Sequence, residues 1–227
     1  MVGFIATTGC RSDERASSGT QSSAGASAAH HSDDSDWREL FDRWKYPEPI
    51  PNFELTDQRG RQFRLHSLAD RYVLLGFIYT RCPLPDACPL TTEKMRQVQR
   101  LWQKQPPKRS HGADPTASAP RLHLLSITLD PGYDTPAQLA QYAETREFDL
   151  DSWTLATGPE ELVANALPSL FNVLALPNRG DSTIQHTVKV ALLAPGMTLV
   201  EEWKDNRFEP ADVLAAIAAA QKSSAPQ

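Results

Sequence analysis

Residues 72–78 read Tyr-Val-Leu-Leu-Gly-Phe-Ile, a run with no charged position in it. A chain can place such a run in a strand only if both faces are covered, so the sequence asks for a sheet with helices packed against it. The run is followed by Tyr79-Thr80-Arg81-Cys82-Pro83-Leu84-Pro85-Asp86-Ala87-Cys88-Pro89, which holds two of the three cysteines in the chain. Residues 90–103 then carry apolar side chains at Leu90, Met95, Val98, Leu101 and Trp102, the pattern of an amphipathic helix. The cysteines therefore lie at the carboxyl end of a buried strand, where α/β sheets usually place their sites.

Five residues separate Cys82 from Cys88. In a regular helix, at about 100° per residue, the second sulfur would point roughly 240° away from the first. A folded loop can pair them, and Pro83, Pro85 and Pro89 lower the entropy cost of holding it. Pro89 suits the first helical position and leaves Cys88 at or beside the N-cap, where the helix dipole favours a thiolate. From the residues alone, a structural disulfide and a working thiol pair both remain open. A structural zinc site is disfavoured, because no second close Cys or His pair completes the usual four ligands.

The remaining pattern extends the α/β reading. Residues 53–55 and 62–65 alternate around Asp57-Gln58-Arg59-Gly60, a β-hairpin with glycine in its turn. Residues 122–128 form a second buried strand, and Asp130-Pro131-Gly132-Tyr133-Asp134 turns into a helix with Thr135 as N-cap and Pro136 first. Either Asp130 or Asp134 is placed to reach back to the cysteine loop. A short strand at 153–156, a helix at about 160–170 and a hairpin or lid at 172–185 follow. Strands at 187–193 and 198–203 flank the turn at Ala194-Pro195-Gly196-Met197, and a last helix covers 212–220. His186 opens the first of these strands; His66 and His123 read as surface or satisfied side chains. The proline-rich stretch 105–120, with His111, reads as an exposed loop.

Length and apolar content suit one domain with extensions: a leading segment at 1–36, a folded unit at 37–221 and a tail at 222–227. Small residues precede Cys10 and a polar Ser, Ala and Gly-rich tether follows it, so residues 1–36 read as a signal remnant or lipid anchor with a flexible linker. His30 and His31 in that linker read as solvated. Trp37, Leu40, Phe41 and Trp44 share one helical face. The net charge of −5, with no long basic run, argues against a nucleic-acid partner.

Three segments together resemble the Sco/SenC family: Phe77-Ile78-Tyr79-Thr80-Arg81-Cys82-Pro83 with Cys88-Pro89, Ser126 to Pro131 with Asp134-Thr135-Pro136, and His186-Thr187 entering an apolar strand. The resemblance runs from about residue 51 to about residue 220. It implies a thioredoxin-like fold, a central mixed sheet flanked by helices with a β-hairpin at its start. It also implies a copper ion held by Cys82, Cys88 and His186, and a role in assembling the binuclear copper site of cytochrome c oxidase. The implied partners are that oxidase's copper-site subunit or another copper protein, met on the extracytoplasmic, periplasmic side of a membrane to which the N-terminus anchors the chain. The alternative is a thiol-disulfide oxidoreductase in which Cys82 and Cys88 cycle; a third reading is an interaction domain with a structural disulfide. One feature departs from the family, whose usual loop has three residues between the cysteines where this chain has five.

Overall fold

The computed structural model describes residues 48–105, 121–178 and 180–223. Cys10, His30, His31, His111 and the helical pattern at 37–44 lie outside the described residues. In chain order the strands are β1 (Glu54–Asp57), β2 (Gln62–Arg64), β3 (Tyr72–Ile78), β4 (Leu122–Thr128), β5 (Trp153–Thr157), β6 (Ala175–Pro177), β7 (Ile184–His186), β8 (Lys189–Leu193) and β9 (Leu199–Lys204). The α-helices are α1 (Cys88–Gln103), α2 (Pro136–Thr145), α3 (Leu167–Leu170) and α4 (Pro210–Ser223).

Strand β3 forms where the apolar run predicts it and buries all seven of its residues. It pairs in parallel with β4 from Tyr72↔Leu122 to Ile78↔Thr128, and β4 pairs in parallel with β5. On its other side β3 meets β8 antiparallel, and β8 meets β9 antiparallel. The full order is β2-β1-β5-β4-β3-β8-β9, a mixed sheet that begins with the predicted hairpin and has the thioredoxin-like arrangement. Each large apolar side chain buried along β3 is worth about 1.5–3 kcal/mol relative to exposure, which is why this strand lies inside the sheet and not at an edge.

Successive residues of β3 face opposite layers. A Cβ on Gly76 would lie 3.2 Å from Met95 Sδ of α1, while the next residue, Phe77, meets the Phe171 ring beyond α3 at 5.7 Å between centroids. Helix α2 joins the α1 layer through Thr92 Oγ1 and Tyr142 Oη, 3.4 Å apart. The Thr135 hydroxyl caps α2 by accepting from Gln138 N, and Pro136 follows it, as predicted.

Two expectations need correction. The buried stripe of α1 is Cys88, Thr91, Thr92, Met95, Val98 and Gln99, whereas Leu90 and Trp102 are half-buried and Leu101 is exposed. Polar side chains enter the core there because each has a partner: Thr92 donates to Cys88 O, and Gln99 donates to Asp149 O and Ser152 Oγ. The second correction is His186, which closes β7 and does not open the strand at 187–193. Residues 172–187 fold on themselves first: Asn178 N donates to Thr183 O, Ala175 pairs with His186, and Thr187 N donates to Leu174 O. The sheet strand β8 starts only at Lys189.

The helix predicted at 160–170 is irregular. Residues Glu161–Ala166 form a π-helical stretch, in which the Leu167 N–H reaches back to Leu162 O. Pro168 would press on the carbonyl of Ala164 in a continuous α-helix, and the wider turn relieves that contact.

Gly76→Val is expected to lower stability by about 1–3 kcal/mol through overpacking against Met95. Gly132→Ala, whose added Cβ meets nothing within 4 Å, is expected to stay within about 0.5 kcal/mol of the parent. Urea unfolding of both variants checks the pair, and equal midpoints would contradict the packing described.

Candidate metal centre

The cysteine loop leaves β3 through two polar clamps. Asp134, fully buried, accepts from Thr80 N at 3.0 Å, from the Thr80 hydroxyl and from the Thr128 hydroxyl. Burial drives its pKa up, against the pull of these hydrogen bonds. Beside it, Arg81 donates to Asp130 Oδ2 at 2.6 Å and lies 4.1 Å over the Tyr133 ring. Both carboxylates of the Asp130-to-Asp134 motif thus reach the loop, through the residues that precede Cys82.

Helix α1 begins at Cys88, with Ala87 as its N-cap residue and Pro89 in the first turn. Cys88 is buried and Cys82 half-buried, and both are free thiols. The Cys82 sulfur lies 3.9 Å from Leu84 O. From the other side the β6–β7 hairpin brings in His186, whose Nε2 stands 3.4 Å from Cys88 Sγ. Its Nδ1 lies 3.2 Å from Thr187 O. A carbonyl can only accept, so Nδ1 carries the proton of the neutral ring and the Nε2 lone pair faces the sulfur. Tyr79 backs the ring edge-on at 5.7 Å, and its hydroxyl accepts from Ile184 N at 3.3 Å. Burial pushes the Tyr79 phenol up to about 12, so it stays protonated.

The two thiols are polarised in opposite directions. A hydrogen bond from the Cys88 side chain holds Cys82 well below an ordinary thiol. Cys88 is pushed up, first by its bond to the Cys82 thiolate and then by burial. One proton on Cys88 faces two acceptors, the Cys82 sulfur and His186 Nε2. Deprotonating Cys88 would leave three lone-pair donors facing one another, an arrangement that a cation stabilises.

The donor set fits a thiophilic metal ion. With metal–sulfur and metal–nitrogen bonds of about 2.3 and 2.0 Å, a tetrahedral angle puts sulfur and nitrogen roughly 3.5 Å apart, close to the separation of Cys88 and His186. Among the described residues no three His, Cys, Asp or Glu side chains yet form a closed metal-holding group. The site is therefore a matched Cys88–His186 pair with a neighbouring Cys82 thiolate, which a metal would have to draw in to be held by all three. His123 belongs elsewhere: its Nε2 is 2.9 Å from Thr154 Oγ1, and burial pushes it down to about 4. His66 is exposed and bonds Ile50 O at 2.7 Å.

Comparison with known proteins identifies the family of the chain. The family model described as SCO1/SenC matches residues 46–222. The chain belongs to the SCO1/SenC family. Among SCO1/SenC relatives, a Stutzerimonas stutzeri protein provisionally named as copper-binding is 32% identical over 150 residues, 66% of each chain. The mitochondrial SCO2 homolog of Bos taurus is 30% identical over 144 residues, 63% of this chain and 49% of its own. The chain thus spans between half and two thirds of these curated relatives. The crystal structure of yeast Sco1 with copper bound superimposes with a TM-score of 0.61 at 25% identity, covering 79% of this chain and 92% of that one.

Two contacts of this SCO1/SenC site have no signal in the sequence as read above. Tyr79 follows the apolar run like one more strand residue, and Asn206, which touches the loop from the other end of the chain, sits in an ordinary polar turn.

Because Cys82 is held as a thiolate, its alkylation rate by iodoacetamide is expected to stay flat from pH 8 to pH 6. An ordinary thiol with a pKa of about 8.5 loses nearly tenfold per unit over that range. Cys88→Ala, lacking the donated proton, restores the slope. Rates resolved by peptide mass spectrometry check this, and an ordinary slope in the parent protein would contradict the polarised pair.

Proposed function

We propose that this chain carries copper as cargo on Cys82, Cys88 and His186 and delivers it to a copper protein during assembly of the binuclear copper site of cytochrome c oxidase. The observation that carries the reading is the His186 Nε2 lone pair set 3.4 Å from the Cys88 sulfur, with the Cys82 thiolate beside it. Two thiolates suit Cu(I), and the imidazole keeps Cu(II) accessible. The copper-binding name of the Stutzerimonas stutzeri relative and the copper held by yeast Sco1 support the same choice of metal. Residues 1–36 would tether the domain on the extracytoplasmic side, with Cys10 as the point of lipid attachment. Among the described residues no helix is long and apolar enough to cross a membrane.

The state of the thiols gates loading. A Cys82–Cys88 disulfide offers no thiolate, so copper enters only after reduction. The five intervening residues make a larger chelate ring than the family's usual three, and Pro83 and Pro85 offset part of that freedom.

A second reading rests on the polarisation itself. An accessible thiolate beside a buried, protonated thiol is also the arrangement of a thiol-disulfide oxidoreductase, with Cys82 attacking and Cys88 resolving.

Anaerobic copper titration of reduced and oxidised protein, side by side, separates these. The copper reading expects tight uptake by the reduced protein and none by the oxidised one. His186→Ala is expected to weaken Cu(II) binding more than Cu(I) binding, since both sulfurs remain. Tight binding in both redox states would overturn the gate, and none in either would favour the oxidoreductase.

A further inference from the structure

The turn between β9 and α4 touches both halves of the site. Asp205 and Asn206 both sit in the left-handed region, at φ 54°, which Asn and Asp tolerate better than other residues with a side chain. From that turn the Asp205 N–H donates to Val188 O at 3.0 Å, two residues beyond His186. Asn206 is buried, and its Nδ2 donates to Asp86 O at 2.9 Å and to Ala87 O at 3.2 Å, the two carbonyls before Cys88. The amide can face only one way: its nitrogen must meet the carbonyls, and its Oδ1 accepts from the Thr91 hydroxyl at 2.8 Å. Lys94 locks the turn from below, donating to Asn206 O and Phe208 O at 2.8 Å each.

We propose that Asn206 is a positioning residue that registers the Cys82–Cys88 loop against the strand carrying His186. The front of the loop is held by Asp134 and Asp130, but its remaining residues project outward: Pro83, Leu84, Pro85 and Asp86 are all exposed. Within the loop, Ala87 N bonds Leu84 O at 3.2 Å. Asn206 supplies two hydrogen bonds to its rear from outside, and its neighbour Asp205 anchors the same turn to the histidine segment. A loop of five intervening residues needs such a tether to keep its first sulfur near its second, because loop freedom grows with length. The inference rests on reading Cys82 and Cys88 as a working pair and does not depend on which metal they take.

The test measures the thiol pair without copper. Full-length protein is equilibrated with glutathione and glutathione disulfide, quenched, and the Cys82–Cys88 disulfide is counted by mass. Two protein thiols give two electrons and two protons to one glutathione disulfide, which leaves as two glutathione thiols. Asn206→Gly removes the amide while keeping the left-handed backbone free of strain. It is expected to melt within a few degrees of the parent yet lower the equilibrium constant for the internal disulfide several-fold, because the untethered loop gains freedom in the dithiol state that closing the disulfide has to remove. Asn206→Asp, which turns a carboxylate on the two carbonyls, is expected to lower it further. An equilibrium constant in Asn206→Gly equal to or above the parent's would overturn the proposal and leave a purely conformational role for the residue. Should that variant fail to fold, Thr91→Val, which leaves the buried Asn206 Oδ1 without its hydroxyl donor and so weakens the hold of the amide on the loop, decides in its place: a several-fold drop supports the proposal and an unchanged constant overturns it. Failure of the parent protein to take copper would sink the copper reading and leave this comparison intact.

Discussion

A carboxylate removed entirely from water organises this molecule. Asp134 sits between Thr80, just past the end of β3, and Thr128, the last residue of β4. An isolated buried charge is costly, so the site forms only if the donors converge. Once they do, the exits of two central parallel strands are clipped side by side beyond their ladder. The chain then enters Arg81 and Cys82 from a fixed point. The second carboxylate of the motif, Asp130, holds Arg81 by an ion pair, so the residue next to Cys82 is constrained through its side chain as well.

The chemistry of the thiols follows from where the fold puts each one. Cys88 belongs to the first turn of α1 and is covered by the sheet and by His186, so burial favours its neutral form. Cys82 lies in the loop, half open to solvent, with a proton donor beside it. One sulfur is therefore ready to react or to ligate, and the other yields its proton only when something positive arrives to replace it. Copper or an attacked disulfide can each draw on that difference, which is why the two functional readings share one structural cause.

Much of this was legible from residue patterns. The seven-residue apolar run, the Thr135–Pro136 helix start and the glycine hairpin each appear where local chemistry places them, since each depends on near neighbours in sequence. The buried face of α1 was misread for a clear reason: Thr91, Thr92 and Gln99 look like surface residues until their distant partners are known. His186 was placed one strand too late because the pairing of Ala175 with His186 depends on a hairpin too short and irregular to show a period. The π-helical stretch before Pro168 and the reach of Asn206 to the loop were invisible, as both arise from tertiary packing. The proposed ligand set came through likeness to a family, and the structure adds the proton arrangement of the two thiols beside His186.

The central claim is that both sulfurs and the His186 nitrogen meet on one metal ion. X-ray absorption spectroscopy of the reduced, copper-loaded protein measures this directly. The account predicts two sulfur scatterers and one nitrogen scatterer in the first shell, with the imidazole's outer-shell signature lost in His186→Ala. A shell of sulfur alone, or one unchanged by that substitution, would contradict it.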